Sequence, residues 1–214
     1  MERSGPHRAL AIHIGADVLT TEPHCHWPVP VSARDTIART ARMCERAGVS
    51  EQYTLAGAAA TCDNVLDALQ AAALILATEG LLVLTFSGYT ERGDGAIAEL
   101  ARELSRLPAQ ARIVVIADTC SATAIRHTPL GPQPFLLIAG CDDDQLMTER
   151  LPSEFIHRLE ELLIRRPDPS LDDVRAVLAA DTPASERPVV WTNADDGTVF
   201  TASRPPRSPP PRSH

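Results

Sequence analysis

The sequence shows no long apolar run and no secretory leader, so we expect neither a membrane-spanning nor an exported protein. Its most apolar region, residues 71–86, is interrupted by Thr78, Glu79 and Gly80. We interpret it as a helix end followed by a strand and not as a membrane span. No positively charged segment followed by an apolar stretch opens the chain, so we expect no signal peptide. The expectation is a cytoplasmic protein with no membrane partner.

Paired cysteines, basic clusters and phosphate-binding loops are also missing. The 5 cysteines are an odd number without paired spacing, which favours reduced thiols over a disulfide framework. A formal net charge of -8, with scattered basic residues, argues against a nucleic-acid partner. No glycine-rich loop follows the first predicted strand, and this disfavours a nucleotide or flavin binder.

Few residues of the sequence have the spacing of metal ligands. The loop at 20–30 contains His24, Cys25 and His26, but a zinc site needs four ligands in paired groups and no second cluster exists. The acidic run 142–144 is more typical of a solvated turn than of a calcium site. We therefore expect no metal and no other cofactor.

The sequence does contain alternating short apolar runs and amphipathic helices. Uninterrupted β-branched runs are typical of strands covered on both faces of a parallel sheet. The predicted strands are 8–15, 52–56, 81–86, 113–117, 135–139 and 189–192, and the predicted helices are 32–47, 61–78, 96–107, 153–165 and 171–180. This order predicts an α/β fold with one mostly parallel central sheet flanked by helices. We expect one domain over 8–203, a short extension over 1–7, and a disordered Pro/Arg-rich tail over 204–214.

Polar residues end two of the predicted strands. Residues 87–90 (Ser-Gly-Tyr-Thr) follow one apolar run, and residues 118–120 (Asp-Thr-Cys) follow the next. Right-handed crossovers bring the carboxyl ends of parallel strands to one edge, where ligands bind in open α/β sheets. We therefore expect Tyr89 and Cys120 to face each other. A free cysteine is usually a buried small hydrophobe, but its place at a strand end argues against that interpretation of Cys120.

Three other residues have ordinary structural interpretations. His13, inside the first predicted strand, is expected to be a hydrogen-bonded core histidine. Ser32 is a plausible N-cap of the following helix, and Asp35, in its first turn, suits the positive end of the helix dipole.

These segments, in this order, resemble the caspase-like cysteine peptidases, in particular the bacterial metacaspase type. The likeness spans 9–192 and depends on three segments taken together: 85–88 (Thr-Phe-Ser-Gly), 116–120 (Ile-Ala-Asp-Thr-Cys) and 139–145 (Ala-Gly-Cys-Asp-Asp-Asp-Gln). The resemblance implies a caspase-like three-layer sandwich.

The resemblance also assigns catalytic positions. In that family a Ser-Gly-His-Gly strand end supplies the base and an Asp-Ser-Cys segment supplies the nucleophile. The match places the nucleophile at Cys120, the histidine position at Tyr89, and the oxyanion-hole backbone at Thr90 and Cys120. A tyrosine, with an ordinary pKa of about 10, is a donor and not a base at neutral pH. Three histidines elsewhere are alternative bases: His24, His26 and His127.

The resemblance further implies a pocket for an arginine or lysine side chain. Its four positions fall at Asp118, Asp35, Ser87 and Ser32. Ser32 replaces a cysteine, and the segment between Tyr89 and Cys120 is shorter than the family's.

Two functions remain open. The departures at Tyr89 and Thr90 favour a pseudopeptidase, a regulatory or peptide-binding module whose partner is a basic peptide or an active caspase-like relative. The alternative is an active cysteine endopeptidase that cleaves after Arg or Lys, with Cys120 as nucleophile.

Overall fold

A central sheet with helices on both faces organises the molecule. The computed structural model describes residues 8–19, 31–76, 79–90, 94–119, 122–140, 154–180, 188–194 and 198–200. The strands are β1 (Arg8–Leu19), β2 (Glu51–Ala56), β3 (Glu79–Thr90), β4 (Gln110–Asp118), β5 (Phe135–Ala139) and β6 (Val189–Thr192). The helices are α1 (Val31–Arg46), α2 (Cys62–Ile75), α3 (Asp94–Leu104), α4 (Glu154–Arg165) and α5 (Leu171–Ala179), with short 3-10 segments at Gly57–Ala59 and Ala122–His127.

The six strands run in the order β2-β1-β3-β4-β5-β6. The first five are mutually parallel, and β6 pairs antiparallel with β5. The prediction of one mostly parallel sheet is confirmed. The chain moves outward from β1 to β2 and then returns to the other side of β1 at β3. This reversal places the topological switch point between β1 and β3, which is where such sheets bind ligands.

Helices cover both faces of the sheet. Since successive strand residues point to opposite sides, each strand contributes to both cores. One face packs against α2 and α3 through residues such as Ile12, Leu84 and Leu69. The other packs against α1, α4 and α5 through residues such as Val83 and Ile116. The continuous apolar runs of the sequence arise from this double coverage.

Ion pairs tie α1 to α4 across the second face. Arg39 and Arg42 both donate to the carboxylate of Glu160, with Arg42 Nη2 lying 2.9 Å from Oε1. Burial by itself raises the pKa of Glu160, but the hydrogen bonds and charges of the two arginines outweigh it and hold that pKa below its ordinary value. The two helices are therefore joined by charge as well as by apolar contact.

The structure corrects the predicted start of α1. The helix begins at Val31, so Ser32 lies inside its first turn and is not its N-cap, and Asp35 lies beyond that turn. The predicted start of α2 at Thr61 does agree with the structure. Thr61 is the N-cap, and its Oγ1 accepts from the backbone N–H of Asn64 at 3.2 Å. The backbone hydrogen bonds of the flanking loops, and not residue type alone, decide where a helix begins.

Several predictions fall on segments outside the described ranges. These are the terminal extension 1–7, the histidine loop 20–30, the segment 141–153 with its acidic run and Ser153, and the tail 204–214. Within the described ranges, none of the helices combines the length and apolar character needed to cross a bilayer.

Candidate functional site

The carboxyl ends of β1, β3 and β4 lie side by side at one edge of the sheet. Gly15 pairs with Ser87, and Ser87 pairs with Asp118. Register partners on parallel strands point to the same face, and here that face is covered by α1. The fold therefore brings a hydroxyl and a carboxylate together beside the switch point.

Asp118 is buried although it stands at the end of its strand, with 1% of its surface exposed. The hydroxyl of Thr36, on α1, donates to Asp118 Oδ2 at 3.0 Å. Gly140, just after β5, provides space on the other side, because a Cβ there would lie 3.6 Å from Asp118 Oδ1 and 3.0 Å from Phe155 Cδ1. A buried carboxylate needs such donors to offset its desolvation.

Ser87 is equally buried, with 1% exposure. Within the described part of the chain, its Oγ has no hydrogen-bond partner. Nearly all buried polar groups in proteins are paired, so an unpaired hydroxyl calls for an explanation.

Two backbone irregularities lie directly after Ser87, one on β3 and one on β1. Gly88 has a φ of 135°, a region that favours glycine. On β1 the pairing register shifts between Ala16 and Val18, opposite Gly88 and Tyr89. Bulges of this kind redirect the residues that follow them. The glycine of the Ser-Gly segment therefore sets how the end of β3 approaches the site.

The predicted catalytic residues are only partly described. β3 continues through Tyr89 and Thr90, whose backbones pair with Val18 and Leu19, but their side chains are outside the description. Cys120 lies outside the described residues, although the neighbouring Thr119 is buried. The facing of Tyr89 and Cys120 and the oxyanion role of Thr90 stay predictions.

Neither of the two predicted α1 residues, Ser32 and Asp35, is seen at the site, whereas Thr36 of the same helix is. Ser32 lies in α1, but its side chain is outside the description, and Asp35 is exposed to solvent. Of the four predicted pocket positions, the structure places Ser87 and Asp118 side by side. Thr36 was not predicted for the site. A threonine within an amphipathic helix gave no distinct signal in the sequence.

A second buried polar cluster surrounds His13 on the same face. His13 Nδ1 lies 2.8 Å from Thr85 Oγ1, and His13 Nε2 lies 2.8 Å from Gln52 Oε1. Gln52 Nε2 donates to the carbonyl of Val49 at 2.9 Å, so its Oε1 is the acceptor and His13 donates from Nε2. Nδ1 then accepts from the Thr85 hydroxyl. The prediction of a hydrogen-bonded core histidine is confirmed.

The His13 ring is held neutral by its surroundings. Burial lowers its pKa below the ordinary 6.5, and the hydrogen bond with Gln52 opposes that change only in part. With both nitrogens engaged inside the sheet face, His13 is a structural residue and not a base for the strand edge.

Of the three alternative bases, only His127 lies in a described segment. His127 is exposed at the end of its 3-10 segment, where its Nε2 accepts from Arg126 Nε at 3.1 Å. His24 and His26 lie outside the described ranges. Among the described residues, no group of three His, Cys, Asp or Glu side chains has the spacing of a metal site.

No family model matches this chain, and no curated protein matches it by sequence.

Solved structures do match it over nearly its whole length. GSU0716, a protein from Geobacter sulfurreducens, is 18% identical with a TM-score of 0.70, covering 92% of this chain and 98% of that chain. Caspase-1 from Spodoptera frugiperda is 12% identical with a TM-score of 0.59, covering 91% and 92%. The structure of pro-sf-caspase-1 is 13% identical with a TM-score of 0.50, covering 89% and 96%. At these identities the likeness concerns the fold.

The chain therefore has a caspase-like fold, with a six-stranded, mostly parallel sheet between two layers of helices. The predicted fold class is confirmed. The metacaspase type within that fold stays a prediction.

Proposed function

We propose that this chain is a caspase-like domain that recognises an arginine or lysine side chain at the carboxyl edge of its sheet and acts as a peptide-binding or regulatory module. One observation carries the proposal. The buried Asp118 carboxylate lies next in register to the buried Ser87 hydroxyl at the β1/β3 switch point. The partner is a basic peptide or an active caspase-like relative.

The chemistry of the edge suits a cationic side chain. A carboxylate out of water forms strong charge-assisted hydrogen bonds with guanidinium or ammonium groups. Ser87 Oγ, which has no partner within the described ranges, is a second acceptor beside it. Asp118 is only 1% exposed, so the cation must enter past the strand ends and leave its water behind. Such a site favours a charged over a neutral side chain, because only a charged group forms a charge-assisted hydrogen bond with the carboxylate.

The residues at the family's catalytic positions favour binding over catalysis. A tyrosine at position 89 does not take a proton from a thiol at neutral pH. An unassisted cysteine, with a pKa of about 8.5, is then mostly protonated. General acid–base assistance contributes roughly 10²–10⁴-fold, so its loss leaves cleavage slow or absent.

The alternative, an active endopeptidase, draws support from the position of Cys120 two residues after Asp118. In that mechanism the Cys120 sulfur attacks the peptide carbonyl and the amine leaves with a proton. Water then hydrolyses the thioester. The backbone N–H groups of Thr90 and Cys120 would stabilise the oxyanion.

Binding is tested with a fluorescent peptide that carries one arginine and with its citrulline counterpart, which has the same shape but no charge. We expect the arginine peptide to bind at least about 10-fold more tightly, since one charge-assisted contact is worth this much. Asp118→Asn should abolish the difference. Equal affinities of the wild-type protein for the two peptides would refute the proposal.

Catalysis is tested with a thiol-reactive probe bearing an arginine recognition group, followed by intact mass measurement. Rapid labelling that disappears in Cys120→Ala supports the endopeptidase. Absent labelling together with tight arginine-peptide binding supports the module. Turnover gained in Tyr89→His would show that the substrate site is intact and that only the base is missing.

A further inference from the structure

Helix α1 turns Thr36, and not its neighbour Asp35, toward the candidate site. Thr36 is buried and its hydroxyl reaches Asp118 Oδ2, whereas Asp35 is exposed. Consecutive helical residues point about 100° apart, so one helix orientation cannot present both side chains to the same strand end. The residue that faces the carboxylate is therefore a hydrogen-bond donor and not a second acid.

We infer, on the basis of the proposed function, that Thr36 is a positioning residue: its hydroxyl holds the Asp118 carboxylate in the orientation that receives the ligand's cation. The site then recognises the positive charge through Asp118 and Ser87, and α1 contributes Thr36 in place of Asp35. The substrate class is a peptide with a single arginine or lysine side chain inserted at this edge.

Thr36 and Thr40 are both buried on the same face of α1, but their hydroxyls have different partners. Thr40, one turn later, donates from Oγ1 to the Thr36 carbonyl at 3.0 Å. The same hydroxyl lies 3.3 Å from Thr85 Oγ1 on β3. A β-branched threonine in a helix has few side-chain rotamers, and packing against the sheet restricts them further. The hydroxyl of Thr36 is therefore aimed at Asp118 before any ligand arrives.

The test compares four full-length variants for binding of the arginine and citrulline peptides: Thr36→Val, Thr36→Ser, Thr40→Val and Asp35→Asn. Thermal unfolding of each variant is measured beside binding. Thr40→Val is the matched control, since it removes a buried hydroxyl from the same helix face without touching Asp118.

We expect Thr36→Val to lower the affinity for the arginine peptide by about 10-fold, because a hydrogen bond to a charged group is lost. The affinity for the citrulline peptide should not change. Thr36→Ser should restore the wild-type preference, and Thr40→Val and Asp35→Asn should keep it. A merely structural role of Thr36 would lower the affinity for both peptides equally.

The outcomes separate the two claims. If the wild-type protein does not distinguish arginine from citrulline, the proposed function fails and this inference fails with it. If it does distinguish them, but Thr36→Val keeps the preference or Asp35→Asn loses it, only the role of Thr36 is overturned. Should Thr36→Val not fold, loss of the preference in a folded Thr36→Ser protein would equally overturn it.

Discussion

Ser87 and Asp118 occupy matching positions on β3 and β4, so that a buried hydroxyl and a buried carboxylate lie side by side at the ends of two parallel strands. Thr36 donates to the carboxylate, whereas Ser87 Oγ has no partner within the described ranges. A fold gains nothing from an unpaired buried hydroxyl. The proposed function gives this hydroxyl a partner in the bound peptide.

Ser87→Ala should therefore stabilise the protein and weaken its ligand binding. Removing a buried hydroxyl without a partner should raise the free energy of unfolding by about 1 kcal/mol. Denaturant unfolding measures this change, and the arginine-peptide assay measures the loss of affinity. Thr85→Ala is the control, because Thr85 bonds to His13 and its loss should destabilise the fold. Destabilisation by Ser87→Ala would show that its hydroxyl has a structural partner.

Because His13 is buried, we expect the free energy of unfolding to fall on mild acidification. Its folded-state pKa lies below 6.5, so the unfolded chain binds the proton more readily. The contribution is complete above pH 6.5 and is lost as the pH falls from there toward the folded pKa, with a slope of at most about 1.4 kcal/mol per pH unit. Denaturant unfolding between pH 7.5 and 5 should show this slope, and His13→Gln should flatten it. An unchanged slope in the variant would contradict the assignment.

The Glu160 ion pairs predict a second loss of stability at lower pH. The folded pKa of Glu160 is lowered from 4.5, so its contribution is present above that pH and disappears as the pH falls through the folded pKa. Glu160→Gln should cost about 1 kcal/mol at pH 7, a value discounted because Arg42 is half-exposed.

The adjacent residue on α4 provides the control for this measurement. Glu161 pairs with Arg165 at 3.5 Å, and both side chains are exposed. Glu161→Gln should change the stability by less than about 0.5 kcal/mol. Equal costs for Glu160→Gln and Glu161→Gln would show that the link between α1 and α4 contributes nothing specific.

The thiol of Cys44 should be inert in the folded protein. It is buried, and burial raises its pKa to about 12. Iodoacetamide at pH 8 should modify it only in denaturant, since the thiolate is the reactive form. Peptide mapping by mass spectrometry measures the modification. Labelling of Cys44 at the rate of Cys62, which is partly exposed, would mean that this core opens readily.

The fold was largely predictable from local patterns. Strands 135–139 and 189–192 match β5 and β6 residue for residue. The continuous apolar run of β5 reflects its burial on both faces, whereas β6 is a half-buried edge strand. The sequence also predicted that the ends of β3 and β4 share one edge, since parallel strands end at a common edge, and the family resemblance placed Ser87 and Asp118 there. Their pairing in register is a finding of the structure. By contrast, the predicted first strand stopped at Gly15, and β1 continues to Leu19 because its last residues pair with the end of β3.

The site's supporting contacts were decided by tertiary structure. Thr36 and Asp118 are 82 positions apart, and His13 and Thr85 are 72 apart. Hydrophobic periodicity tells which face of a helix is buried but not which polar atom meets which. The sequence by itself determined the layers, the common edge of the parallel strands and the acid at that edge. Only the packing of α1 onto the sheet selected Thr36 over Asp35, since a hydrogen bond depends on the orientation of one helix within a few tenths of an ångström.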